Sequence, residues 1–106
     1  MIRRAFTMRL KLGGMAQYKA HHDAIWQELV DEIERQGIAQ ITIFEADPVL
    51  FLYSEIRDEG AWDRLWHSEI HDKWGAIMNP LMEFNDEGIV DSSELREVFN
   101  LRTDAK

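Results

Sequence analysis

Apolar residues in this chain change their spacing along its length in an order that few architectures accommodate. From Arg4 to Leu10 they alternate, with Phe6, Met8 and Leu10 towards a core and Arg9 away from it, which is the pattern of a strand. Gly13–Gly14 interrupts the alternation. Helical spacing then runs from about Met15 to Gln36, and Gly37 stands where a helix C-terminal glycine is expected. Ile38–Ala46, rich in β-branched residues, and Val49–Ile56 read as two strands joined in a hairpin at the Asp47–Pro48 turn. Asp58–Glu59–Gly60 opens a second helical region carrying Trp62, Leu65 and Trp66. It breaks near His67–Ser68 and resumes from Asp72 to Met82, with Pro80 set to kink or end it. Asn85 to Asp91 reads as a loop and Glu94 to Leu101 as a last strand.

This β-α-β-β-α-β order predicts an α+β fold of the ferredoxin-like plait type, an antiparallel sheet with its helices on one face. Alternate strand positions such as Phe6, Phe44, Phe51 and Tyr53 cannot all point at the helices, so the other sheet face needs a cover. Two subunits packed sheet to sheet, or a pocket lined by that face, would provide one. Of the two, a homodimer of the dimeric α+β-barrel kind is expected.

With 106 residues the chain fits one domain spanning 1–106, and a 45% hydrophobic content argues against disorder. The net charge of −8, with no basic cluster larger than Arg3–Arg4, argues against nucleic acid or an anionic membrane as partner. There is no cysteine, which excludes disulfides, thiolate catalysis and thiolate metal ligation. No apolar run is long enough to cross a bilayer and no signal-peptide pattern opens the chain, so a cytoplasmic location is expected.

On a continuous first helix, Tyr18, His22, Ile25, Trp26, Leu29 and Ile33 fall in one inward stripe, and His21, Glu28, Glu32 and Arg35 fall largely outside it. Tyr18 and His22 are neighbours at i, i+4. A half-buried imidazole titrates near neutrality and can take up or release a proton, while a phenol and aromatic faces suit a sugar ring. A histidine on an apolar helix face is more often a hydrogen-bonded core or interface residue than a catalyst, and spacing alone favours that structural reading. His67 and His71, with Glu69 between them, have a spacing that can serve a metal, but the expected helix break and missing third ligand favour a surface coincidence. Glu45, Asp47 and Glu55 gather around the hairpin and could supply a second acid or base, but Asp47 reads better as a solvated turn residue and Glu55 as a strand-end residue. Trp62, Trp66 and Trp74 are read chiefly as core or interface aromatics. No phosphate-cradling glycine loop or nucleotide fingerprint is present.

Three segments carry a resemblance. The opening Met1-Ile2-Arg3-Arg4-Ala5-Phe6-x-Met8, the run Tyr18-x-x-x-His22-x-x-Ile25-Trp26-x-Glu28-Leu29, and the ending Ser92-Ser93-Glu94-Leu95-x-Glu97-Val98-Phe99 resemble the L-rhamnose mutarotase family. The resemblance implies a dimeric α+β protein that interconverts the α and β anomers of a deoxyhexose, in the first place L-rhamnose, with neither cofactor nor metal. It implies that His22 is the catalytic proton donor, that Tyr18 binds substrate, and that Trp74 is the first of a tryptophan pair touching the sugar. Two family positions differ: the second-strand tyrosine falls at Ile41 and the second tryptophan at Gly75. Other expectations of the same residues are a mutarotase for another sugar such as L-fucose, a cofactor-free monooxygenase or dehydratase of the dimeric α+β-barrel type, or a non-catalytic sugar-binding module.

Overall fold

The computed structural model describes residues 1–86 and 90–104. The elements follow the order β1 (Ile2–Arg9), α1 (Met15–Asp23), α2 (Gln27–Arg35), β2 (Ile38–Ala46), β3 (Val49–Ile56), α3 (Ala61–Trp66), α4 (Glu69–Met78), a short 3₁₀ turn (Asn79–Leu81) and β4 (Ser92–Leu95). The strands form one sheet in the spatial order β2-β3-β1-β4, and every neighbouring pair is antiparallel. This is the expected plait. The hairpin strands begin and end at the expected residues, and the peptide between Asp47 and Pro48 is cis. Gly37 sits just past α2 at φ +93°, a conformation that a residue with a Cβ adopts only at a cost.

Register assigns the side chains to faces, because directly paired residues project the same way. Leu50, Leu52, Ser54 and Ile56 of β3 share a face with Met8, Phe6, Arg4 and Ile2 of β1 and with Ile43 and Ile41 of β2. The helices cover this face, and the core of Leu10, Leu29, Leu50, Ile56, Leu65, Met78 and Met82 lies there. Phe6 belongs to this side as well, its ring meeting Trp62 edge-on at 5.8 Å. The opposite face carries Thr42, Phe44, Phe51, Tyr53 and Leu95. No helix covers it among the described residues, and Phe44 is 65% exposed.

Three expectations need correction. The first helical region is not continuous: Ala24 N–H turns back to the carbonyls of Ala20 and His21, Ile25 N–H turns back to that of His22, and Trp26 is extended at φ −68°, ψ 136°. The tight i→i+3 bonds finish α1, and the Trp26 carbonyl then accepts from Leu29 and Val30 to start α2. The apolar stripe survives the break at Tyr18, His22, Leu29 and Ile33, but Ile25 is turned out to 36% exposure. The second correction is to α4, which starts at Glu69 rather than Asp72. Ser68 caps it by accepting from His71 N–H, and Pro80 ends it through the 3₁₀ turn. The third is to the last strand, which covers only Ser92–Leu95 instead of Glu94–Leu101; beyond it Val98, Phe99 and Leu101 are exposed. Of the expected Asn85–Asp91 loop, residues 87–89 lie outside the described residues.

One buried polar group ties the sheet to the helices. Ser54 is fully buried; its hydroxyl donates to the Arg4 carbonyl at 2.8 Å and accepts the Trp62 indole N–H at 2.9 Å. Ser54→Ala strands that N–H in the interior, so the variant should lose about 1–3 kcal/mol of unfolding free energy in a urea titration. Adding Trp62→Phe to it should cost less than the sum of the two single losses.

Candidate functional site

A cleft of about 820 Å³ opens between the helices and the covered face of the sheet. Tyr18, His22, Ile41, Trp74 and Gly75, drawn from α1, β2 and α4, all line it. The structure thus brings together every residue that the sequence singled out for substrate chemistry.

α1 has few apolar residues, and Tyr18 is its one buried side chain. The helix is held instead by ring contacts. The Tyr18 and His22 rings stack at 4.2 Å between centroids, His22 meets the Trp74 ring edge-on at 5.2 Å, and Trp26 meets Trp74 in the same way at 5.2 Å. The break between α1 and α2 has a use here, because it delivers Trp26 to the α4 ring that His22 also touches.

The backbone decides the tautomer of His22. Its Nδ1 lies 2.9 Å from the Tyr18 carbonyl, which can only accept, so Nδ1 carries the hydrogen and donates. The lone pair of the neutral ring is then on Nε2. Burial lowers the His22 pKa from 6.5, opposed by the same backbone hydrogen bond, so the ring is held neutral around pH 7 and is suited to accept a proton. Burial also pushes the Tyr18 phenol up to about 12, which keeps it a hydrogen-bonding phenol rather than a phenolate. The surrounding wall is largely apolar, and the exposed Lys19 and Asp23 that border it neutralise each other across 2.8 Å. Such a cleft suits an uncharged molecule with both polar edges and apolar faces.

Ile41 is half-buried on the covered face of β2 and offers only carbon to the cleft. Gly75 offers no side chain at all. The carboxylates around the hairpin separate: Glu45 borders the cleft, while Glu55 lies on the uncovered sheet face and accepts the Tyr53 hydroxyl at 2.8 Å. His67 and His71 separate too. His67 is exposed at the end of α3 with Nδ1 2.8 Å from the Asp63 carbonyl, whereas His71 lies on α4, lines the cleft and packs against Trp66 at 4.4 Å. Among the described residues no group of three or more His, Asp or Glu side chains is placed to hold a metal. His71 and Trp66 are the cleft residues that sequence reasoning undervalued. Their signal was the series His71, Trp74, Gly75, Met78, spaced i, i+3, i+4, i+7 along one helix face.

The chain is similar to known proteins in both sequence and fold. A family model for L-rhamnose mutarotase matches residues 3–101. An L-rhamnose mutarotase of Clostridium beijerinckii is 38% identical, covering 96% of this chain and all 100% of that protein. The crystal structure of an L-rhamnose mutarotase from Formosa agariphila superimposes with a TM-score of 0.82 at 30% identity, over 96% of this chain and 100% of the other. A putative antibiotic biosynthesis monooxygenase from Nitrosomonas europaea covers 88% of this chain and 84% of its own at a TM-score of 0.63. Its 9% identity makes that a likeness of fold alone. By the extent of the family match and the identity to its members, the chain belongs to the L-rhamnose mutarotase family.

Proposed function

We propose that this protein is an isomerase that interconverts the α and β anomers of L-rhamnose in the cytoplasm, acting as one domain over residues 1–106. The observation that carries the reading is the neutral, tautomerically fixed His22 facing a mostly apolar cleft beside Trp74. Opening a pyranose requires removal of the anomeric O–H proton, protonation of the ring oxygen and cleavage of the bond between that oxygen and the anomeric carbon. The freed aldehyde rotates and the reverse steps close the other anomer. His22 exchanges the proton at Nε2, since Nδ1–H is committed to the Tyr18 carbonyl, and water or a second group serves the other oxygen. Tyr18 donates a hydrogen bond to a sugar hydroxyl, Trp74 covers an apolar face of the ring, and Ile41 extends that apolar surface. The sugar opens slowly in water unaided, so general acid–base assistance of about 10²–10⁴-fold is sufficient.

Saturation-transfer NMR on L-rhamnose measures anomer exchange directly. The unsubstituted protein should accelerate it and His22→Ala should return it to the rate in buffer, with the circular dichroism spectrum retained. Full activity in His22→Ala overturns the assignment. L-fucose in the same experiment tests sugar choice, and binding without exchange favours a sugar-binding module.

Because burial lowers the His22 pKa, kcat/KM should hold from neutral pH down past 6.5 and fall only as the ring protonates at its lower folded value. Stability should follow the same sign. The unfolded imidazole, with the higher pKa, takes up a proton first, so stability declines as pH falls from about 6.5 through the folded pKa and is unaffected above it. An acid limb centred above 6.5 assigns the proton transfer to another group.

We infer that the protein is a homodimer formed through the uncovered sheet face. Phe44, Phe51 and Leu95 stand there at 65%, 38% and 42% exposure, with Phe99 of the following segment at 77%. A contiguous apolar sheet face of this kind calls for a partner surface. Sedimentation should give a dimer for the native chain and a folded monomer for Phe44→Glu combined with Phe51→Glu.

A further inference from the structure

His22 accounts for one end of the cleft, but a second imidazole lines it. His71 packs its ring against Trp66 at 4.4 Å with 37° between the planes. Its backbone N–H is taken by the Ser68 cap, yet neither ring nitrogen has a hydrogen-bond partner among the described residues. His22 and His67 differ in this respect, since each ties Nδ1 to the carbonyl four residues earlier. The His71 ring is half-buried against the cleft, and burial lowers its pKa from 6.5, so at neutral pH it is an uncharged ring with one donor and one acceptor.

Gly75 explains why this ring is reachable. A glycine inside a helix costs about 1 kcal/mol relative to alanine, and nothing in the backbone here requires it. Its φ is not positive, and a Cβ at this position would meet only the Asn79 side chain, at 3.8 Å. Helical side chains lean towards the helix start and cover the turn before their own Cα. A side chain at 75 would therefore lie over the turn that carries His71. With glycine there, the face of α4 between Trp74 and His71 is left open to the cleft.

We propose that His71, backed by Trp66 and uncovered by Gly75, is a second sugar-binding group that hydrogen-bonds a pyranose hydroxyl remote from the anomeric carbon and so helps to select the sugar. Trp74 stands between the two imidazoles in this arrangement. It touches His22 directly, and on α4 it is one turn from His71, with Cβ atoms at i, i+3 about 5–6 Å apart. A pyranose lying on Trp74 with its anomeric centre at His22 presents its far hydroxyls towards His71. Ile41 cannot supply a hydrogen bond on the sheet side, which leaves this edge of α4 to provide it.

The inference rests on the mutarotase reading and deepens it, and two variants test it. His71→Phe keeps a ring against Trp66 and removes both nitrogens; it should raise KM for L-rhamnose by about 3–10-fold, the size of one neutral hydrogen bond, with the loss falling on KM far more than on kcat. His71→Gln restores a donor and an acceptor and should recover part of that loss. Gly75→Leu covers the His71 turn; it should raise KM while raising the melting temperature, a combination that damage to folding cannot produce. Sugar binding is followed in parallel by tryptophan fluorescence. An unchanged KM in both His71→Phe and Gly75→Leu, in a protein that accelerates exchange, overturns this inference and leaves the mutarotase reading intact. Binding without exchange in the unsubstituted protein overturns the mutarotase reading alone, and the fluorescence titrations of the variants then decide on His71. No binding of L-rhamnose at all overturns both.

Discussion

The Trp74 ring holds the working part of this molecule in place. Its edge-on contacts with His22 and Trp26 join α4 to the last turn of α1 and to the first residue before α2. α1 has little else to hold it. Its remaining residues are mostly polar, and Tyr18 is its only buried one. Aromatic pairs of this geometry contribute about 0.5–1.5 kcal/mol each beyond the area they bury. Two of them on one ring are enough to place a short helix that has no continuous apolar stripe of its own. The same contacts bring His22, the proposed proton-transfer residue, against the surface that would carry the sugar. Position and chemistry therefore depend on one side chain, itself only 6% exposed.

The sheet imposes a second constraint. A plait puts both helical layers on one side, so the alternating residues of the strands face two different environments. On the covered side Leu50, Leu52 and Ile56 meet the helices, and Ser54 is tolerated because its hydroxyl is satisfied twice. At the edge of this covered side Arg4 and Glu94 form a bidentate pair that bridges β1 and β4, and the aromatic centre of the opposite face is left without a cover among the described residues. The segment after β4 follows β1 through Arg3 and Glu97 and carries Val98 and Phe99 in the open. A chain of this size buries only about 60–65% of its unfolded surface, so a partner on this face would add to a modest core.

Most of the fold was legible because the strands are bounded by residues with strong local rules. Gly37 with φ +93° and the Asp47–Pro48 turn delimit β2 and β3 at their observed ends. The break between α1 and α2 was not legible. No glycine or proline marks it, and the apolar positions on either side keep helical phase across three non-helical residues. What decides it is tertiary: the packing of Trp26 on Trp74, which no local pattern announces. The last strand was overestimated for a related reason. Val98, Phe99 and Leu101 look like strand residues but pair with no neighbouring strand among the described residues. In the candidate site, Tyr18, His22 and Trp74 are singled out by the family resemblance, because spacing alone favours a structural histidine over a working one. His71 was passed over because pairing it with His67 drew attention to metals, when its relevant neighbours were Trp66, Trp74 and Gly75.

The departures at Ile41 and Gly75 do not have to be independent losses. Removing a hydroxyl from the β2 wall takes away a hydrogen bond that a sugar needs, and removing a side chain from α4 takes away an apolar surface. Each alone would weaken a polyol site, because sugars are held by a few directed hydrogen bonds together with stacking on their C–H faces. In this chain the second removal would uncover an imidazole whose ring nitrogens have no partner among the described residues and which is backed by an indole. The hydrogen bond and the flat surface are thus both present on one helix edge, a turn away from Trp74. Because this edge is a turn of α4 away from Trp74, it can alter which hydroxyls are recognised without disturbing the imidazole proposed to move the proton. A site built this way would separate sugar choice at His71 and Gly75 from proton transfer at His22, with Trp74 alone serving both.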